Sequence, residues 1–99
     1  MSATVVRYTT KPERADENAA LVEKVYVELN ASRPEGFHYA TFRLADGVTF
    51  VHVATREGDA NPLASSPAFA EFQSGIAERC AEPPVASDAV VVGSYGVFD

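Results

Sequence analysis

The chain has 99 residues, of which 46% are hydrophobic and 22% charged, and its formal net charge is −6 at pH 7. This length suits a single domain spanning residues 1–99, and the composition is that of a globular protein rather than a disordered one. The negative charge disfavours nucleic acid and anionic membranes as partners. The start of the chain lacks a basic segment followed by an apolar one, so we expect no signal peptide and a cytoplasmic location. The lone cysteine, Cys80, has no partner for an internal disulfide, which agrees with a reducing compartment.

The first third of the chain predicts a strand followed by a helix. Residues 4–9 are rich in β-branched and aromatic side chains, which is typical of a strand. Pro12 and the acidic residues around it favour the start of a helix, which is predicted over residues 13–31. One stripe of this helix is apolar apart from a single amide, and it contains Asn18, Leu21, Val22, Val25 and Leu29. Pro34 and Gly36 then end the helix.

Residues 37–44 and 48–55 predict two strands joined by Asp46-Gly47, a dipeptide typical of tight hairpin turns. A two-residue turn fixes the register, so that Phe42 is predicted to pair with Val51. The face containing these two residues is almost wholly apolar and is predicted to pack against the helices. The opposite face is predicted to be free of helices, and it carries Tyr39, Thr41, Arg43, Phe50 and His52.

The rest of the chain predicts a second helix and a last strand. Ser66-Pro67 is a favourable start for a helix over residues 67–81, whose buried stripe contains Phe69, Phe72, Ile76 and Cys80. Pro83-Pro84 is predicted to end that helix, and residues 89–97 form the last strand. The order strand, helix, strand, strand, helix, strand is that of the ferredoxin-like α+β sandwich, an antiparallel four-stranded sheet with two helices on one face. The uncovered sheet face leads us to expect a homodimer.

The strongest candidate site lies on the mixed face of the hairpin. Tyr39, Arg43 and His52 combine a phenol, a guanidinium and an imidazole, which suits a small anionic or aromatic ligand. Arg7 is a further candidate, although the sequence does not fix its face. In the alternative, which we favour, these side chains make hydrogen bonds and salt bridges across a dimer core.

The remaining polar residues give weaker indications. Asn18 either lines a pocket between helix and sheet or lies at the rim of the first helical turn with its amide in water, and the rim is favoured. His38 is expected to be solvated, and together with His52 it makes no zinc-ligand pattern, so no metal is expected. Cys80 is expected to be a packed structural thiol. Because the glycines form no phosphate-binding loop, we also expect no cofactor.

A resemblance to a known family extends over nearly the whole chain. The runs that carry it are Val5-Val6-Arg7-Tyr8, Asn18-Ala19-Ala20-Leu21-Val22, Tyr39-Ala40-Thr41-Phe42-Arg43-Leu44 with Asp46-Gly47-Val48, and Ser66-Pro67-Ala68-Phe69-Ala70-Glu71-Phe72. In these runs the chain resembles the antibiotic-biosynthesis monooxygenase-like family of dimeric α/β barrels. The resemblance implies two subunits packed sheet against sheet, with a ligand pocket often between one subunit's helices and its sheet.

The catalytic residues of that family do not carry over. Haem-degrading relatives use an asparagine in the first strand, a histidine on the second helix and a tryptophan. This chain has Arg7 and Tyr8 in the first strand, no histidine in the second helix and no tryptophan. The quinone-forming oxygenases also use asparagine and tryptophan, and here only Asn18 offers a substitute, at a different place.

Three functions remain open at the level of sequence. The first is a small dimeric protein that binds an aromatic or polyketide-like ligand. The second is a cofactor-independent monooxygenase acting on a phenolic or quinol-type substrate held by Tyr39, Arg43 and His52. The third is a non-catalytic structural or stress-associated interaction module. As a test of the predicted core, Phe42→Ala is expected to destabilise the protein by about 3–5 kcal/mol.

Overall fold

The structure is a computed structural model that describes residues 2–96, and these form one four-stranded antiparallel sheet with helices on one face. The elements are β1 (Ser2–Thr10), α1 (Ala15–Ser32), β2 (Phe37–Arg43), β3 (Thr49–Arg56), α2 (Pro67–Ser74), α3 (Ile76–Arg79) and β4 (Cys80–Ala89). Short 3₁₀ turns at Pro12–Arg14 and Pro62–Ser65 precede α1 and α2. The strand order β2-β3-β1-β4 confirms the predicted ferredoxin-like α+β fold.

Helix α1 follows the predicted stripe. Asn18, Val22 and Val25 are buried, whereas Val27 on the other side of the helix is 72% exposed. The helix ends at Arg33, which adopts a left-handed conformation with φ of 48° and donates its backbone N–H to the Leu29 carbonyl at 2.7 Å. Within residues 2–96, no helix is both long and apolar enough to cross a membrane.

The second helix is shorter than predicted, and the last strand begins earlier. The Ser66 hydroxyl accepts the backbone N–H of Phe69 at 3.0 Å, which confirms the predicted cap of α2. Gly75 then interrupts the predicted helix, and the chain enters β4 at Cys80, so the prediction of a strand over residues 89–97 is wrong. Residues 90–96 lie outside any strand, and Val97 lies outside the described residues.

Pro83-Pro84, predicted to end a helix, lies inside β4. This strand is at the edge of the sheet and pairs only with β1. An edge strand tolerates proline because one row of its backbone groups has no ladder partner. The register also shifts between Arg7 and Thr9 of β1, opposite the two prolines.

The hairpin has the predicted register but a different turn. Phe42 pairs with Val51 as expected. The Gly47 N–H donates to the Leu44 carbonyl at 2.9 Å, which places Ala45 and Asp46 at the centre of the turn, and Gly47 itself has φ of 78°. Hydrogen bonds from the hydroxyl and backbone of Thr49 and from the backbone of Val48 lower the pKa of the Asp46 carboxyl.

The predicted assignment of the two sheet faces is wrong. Phe50 and His52 are buried under the helices, where Phe50 packs with Val25 and Phe72. Phe42, predicted to be in the core, lies on the other face and is 52% exposed. The premise of the Phe42→Ala prediction is therefore also wrong, because an exposed side chain leaves no internal cavity when it is removed.

Candidate functional site

A cavity of about 520 Å³ lies between the helices and the sheet. Its walls are mostly apolar and include Val6, Ala54, Leu63, Phe69, Phe72 and Ile76. Tyr8, Tyr39 and His52 line it at one end, while Arg56, Asn61 and Gln73 add further polar side chains. Apolar walls with a few convergent polar groups are typical of small-molecule sites.

Strand register brings the polar end together. Val6 pairs with His52 and Tyr8 with Phe50 across β1 and β3, so that Tyr8 and His52 share the helix-facing side of the sheet. Tyr39 of β2 pairs with Ala54 and faces the same side. The stacked rings of Tyr8 and Phe50, with centroids 5.5 Å apart, fix the position of Tyr8.

A buried chain of hydrogen bonds starts at Arg79, the last residue of α3. Arg79 is only 2% exposed, and its Nε donates to Asn18 Oδ1 at 3.1 Å. Because a guanidinium has no acceptor, this bond orients the Asn18 amide, whose Nδ2 then donates to the Tyr8 hydroxyl at 2.8 Å. Asn18 is fully buried, so the prediction that it lies at a solvated rim is wrong.

The chain continues through His52 to Tyr39. The Tyr8 hydroxyl lies 2.8 Å from His52 Nε2, and the Tyr39 hydroxyl lies 2.7 Å from His52 Nδ1. Tyr8 already accepts from Asn18, and His52 Nε2 is the acceptor in reach of its hydrogen. We therefore assign the proton of the ring to Nδ1, which donates to Tyr39 and, at 3.1 Å, to Thr41. Thr41 is in turn 2.8 Å from the Tyr26 hydroxyl of α1.

Burial favours the neutral forms of the side chains in this hydrogen-bond network, apart from the guanidinium of Arg79. It lowers the pKa of His52 to about 4, so the imidazole is neutral at pH 7. Burial also raises the pKa of the Tyr8 and Tyr39 phenols, although the Asn18 hydrogen bond and the Arg79 charge act in the opposite direction on Tyr8. Arg79 is held by Asn18, by the Phe72 carbonyl at 2.6 Å and by the face of the Phe72 ring.

The residues predicted from sequence fall into separate groups. Asn18, Tyr39 and His52 belong to the network, and their role in ligand binding stays a prediction. Arg43 lies on the same side of the sheet but pairs with Asp16 at 3.0 Å, outside the cavity. Arg7 lies on the opposite face and is exposed. His38, predicted to be solvated, is half-buried on that opposite face.

Sequence reasoning missed Tyr8, Arg79 and Arg56. Arg79 continues the helical spacing of Phe72 and Ile76, and this charged residue in a buried stripe was a detectable signal. Tyr8 could not be placed because the sequence gives no register for the first strand. Cys80, at the start of β4, is buried, and this burial raises the pKa of its thiol, in agreement with a packed structural cysteine.

Several solved structures share the fold. A candidate antibiotic biosynthesis monooxygenase from Nitrosomonas europaea has a TM-score of 0.76 and 15% identity, over 96% of this chain and 93% of that one. A second candidate from Caulobacter crescentus has a TM-score of 0.72 and 20% identity, over 93% and 90% of the two chains. A mutant of SnoaB, a cofactor-independent oxygenase from Streptomyces nogalater, has a TM-score of 0.68 and 15% identity, over 96% of each chain.

The similarity to these proteins is one of structure. No family model matches the sequence, and no curated protein matches it. Sequence identities at this level leave the catalytic residues of each protein to be established separately, since one fold hosts many chemistries. The chain has the fold of the antibiotic biosynthesis monooxygenase-like proteins.

Proposed function

We propose that the chain binds a small planar aromatic molecule in the cavity between the helices and the sheet. The molecule carries an oxygen that accepts a hydrogen bond, such as a phenolate or a quinone carbonyl. The aromatic walls of Phe69 and Phe72 suit a flat ring system. The volume of about 520 Å³ lies within the range of small-molecule sites.

The direction of the hydrogen-bond chain is the observation that carries this proposal. Each donor points away from Arg79 and toward the cavity, through Asn18, Tyr8 and His52. Tyr39 accepts from His52, and the Thr41 hydroxyl is a further polar group that interacts with the Tyr39 phenol. A ligand oxygen in the cavity would compete with Thr41 for the hydrogen of the Tyr39 hydroxyl. A buried cation at the far end strengthens every donor in such a chain, which favours an acceptor with negative charge.

The test is a fluorescence titration with 2-naphthol, a planar phenol. Tyr39→Phe keeps the ring and removes the hydroxyl, and we expect it to weaken binding about tenfold. Tyr95→Phe is the matched control because Tyr95 is 94% exposed, and it should bind like the parent. Equal affinity in the parent and Tyr39→Phe would contradict the proposal.

Cofactor-independent oxygenation of the bound phenol is the second candidate. It is favoured by the donor from Tyr39, which would stabilise the phenolate that must form before oxygen reacts. A phenol with a free para carbon and one O₂ give a quinone and one water, with both electron pairs supplied by the substrate. The SnoaB protein, which shares the fold, is a cofactor-independent oxygenase.

An oxygen electrode with 1-naphthol tests this second candidate. We expect one O₂ consumed per 1,4-naphthoquinone formed, at a rate that a metal chelator leaves unchanged and Tyr39→Phe lowers. Binding of 1-naphthol without oxygen uptake would reject the oxygenase and leave the binding function in place.

The proposal includes a homodimer in the cytoplasm, joined through the sheet face that bears no helices. Phe42, Leu44 and Val85 are large apolar side chains exposed on that face, and Val85 is 68% exposed. Large apolar side chains exposed on an uncovered sheet face are typical of protein interfaces. A free, buried Cys80 is compatible with a reducing compartment.

A further inference from the structure

Arg56, the last residue of β3, is a cation in the cavity wall without an acidic partner. It is half-buried, and in residues 2–96 no carboxylate lies within ion-pair distance of its guanidinium. Arg14, Lys24 and Arg43, by contrast, each form an ion pair. None of the described residues that line the cavity is acidic. A half-buried guanidinium beside an apolar cavity therefore has its charge available for a ligand.

The strand places Arg56 at the opposite end of the cavity floor from the hydrogen-bond network. His52, Ala54 and Arg56 alternate along the same face of β3, so the backbones of His52 and Arg56 are about 13 Å apart. Ala54 lies between them and pairs with Tyr39. Its small side chain leaves the middle of the floor open. A rigid molecule of two fused rings could contact the Tyr39 hydroxyl at one end and the Arg56 guanidinium at the other.

We infer that Arg56 determines specificity by binding a carboxylate on the aromatic ligand, at the end remote from Tyr39. This inference rests on the proposed function of the same cavity. A planar guanidinium matches a carboxylate in a two-bond geometry, whereas a phosphate group carries more charge than this single cation balances.

Because the surroundings of Arg56 are acidic, its positive charge determines whether this end of the cavity attracts an anion. Asp59 and Asp88 line an adjoining hollow that Arg56 also borders, beyond ion-pair distance from it. The chain as a whole has a net charge of −6. Without the guanidinium, this end of the cavity would repel an anion. Among the described residues that line the cavity, Arg56 is the one cation. In this acidic protein it is therefore the residue that attracts a carboxylate.

The experiment compares 6-hydroxy-2-naphthoate with its uncharged methyl ester by fluorescence titration. The parent should bind the acid about tenfold more tightly than the ester, the low end expected for a charge-assisted hydrogen bond at a partly exposed site. Arg56→Gln should abolish this preference by weakening binding of the acid far more than binding of the ester, while Arg56→Lys should retain part of it. Lys11→Gln removes an exposed cation outside the cavity and should behave like the parent. Added salt should reduce the preference of the parent.

The outcomes distinguish a failure of the role assigned to Arg56 from a failure of the proposed function. If the ester binds in a Tyr39-dependent manner but the acid has no advantage, the role of Arg56 is rejected and the proposed function stands. A preference for the acid that survives Arg56→Gln, or is lost in Lys11→Gln, also rejects it. If the ester fails to bind, or binds equally to Tyr39→Phe, the proposed function fails and the role of Arg56 fails with it.

Discussion

Asn18 of α1 is a fully buried amide that connects the helices to the sheet through two hydrogen bonds. Its oxygen accepts from Arg79 and its nitrogen donates to Tyr8, so both polar atoms are satisfied without water. A buried polar group is tolerated only under this condition, because an unpaired donor or acceptor loses its hydration with nothing in return. Asn18 therefore orients the side chains of Tyr8 and Arg79 through its hydrogen bonds. This role explains why an amide occupies a position in an otherwise apolar stripe of α1.

His52 should make the stability of the protein depend on pH. Its pKa is about 4 in the folded state, below the ordinary value of 6.5. Between these values the unfolded chain binds a proton that the native state does not, so stability falls as pH falls from 6.5 to 4. The loss should total about 3 kcal/mol, measured by urea denaturation across this range.

A single substitution isolates the contribution of His52. His52→Gln should show a smaller loss of stability than the parent over the same pH range, because it removes the buried imidazole. An NMR titration of the His52 ring in the parent measures the same property directly. A His52 ring that titrates near 6.5 would contradict the buried, neutral assignment.

At the scale of elements, the hairpin shows what the sequence could and could not determine. The Asp46-Gly47 signal predicted the pairing of Phe42 with Val51 correctly, although the observed turn has Ala45 and Asp46 at its centre, because both turns give the strands the same register. The choice of buried face depends instead on what packs against each side. The more polar face is the buried one here because Tyr39, Thr41 and His52 satisfy one another. Polarity alone could not reveal that mutual satisfaction.

Gly47 should be required for the hairpin turn. Its φ of 78° is a conformation that other residues rarely adopt, and a Cβ there would meet nothing within 4 Å. Any loss in Gly47→Ala thus reports backbone strain, which we expect to be about 1–2 kcal/mol by urea denaturation. Gly93→Ala is the matched control, since it is equally open but lacks a positive φ. Equal stability of the two variants would contradict the turn.

The last strand was predicted at the wrong place for a related reason. Pro83-Pro84 is a local signal against regular structure, and residues 89–92 are a local signal for a strand. Tertiary context overrides both signals. The edge of the sheet accepts the prolines, and β1 offers its free side to Cys80–Ala89. Edge position is a property of the whole sheet, and single-chain periodicity does not report it.

At the scale of the whole molecule, the exposed apolar sheet face predicts self-association. Sedimentation equilibrium at micromolar concentration should give twice the chain mass. Phe42→Glu should shift the protein toward the monomer, because it places a charge on that face. Val27→Glu is the control, because it adds the same charge at an exposed apolar position on α1. A monomeric parent, or equal dissociation of both variants, would contradict the dimer.

The site was only partly predictable because it is assembled from distant parts of the chain. Tyr39 and His52 were found as neighbours on one hairpin, where local register suffices. The contacts of Asn18 with Tyr8 and Arg79 join α1, β1 and α3, and no local pattern encodes them. Composition and spacing thus identified which types of side chain form the site, but they did not identify all of its residues.

The buried chain from Arg79 to Tyr39 is also a link between helices and sheet, and so binding and folding are thermodynamically coupled. A ligand at a hundred times its dissociation constant would raise the stability of the native state by about 2.7 kcal/mol. Substitutions in that chain would lower affinity and melting temperature together. Leu63, Phe69 and Ile76 in the apolar wall of the cavity take no part in these hydrogen bonds. Substitutions at these three positions should therefore change ligand preference with the smallest loss of stability. Related proteins with different ligands should differ there first.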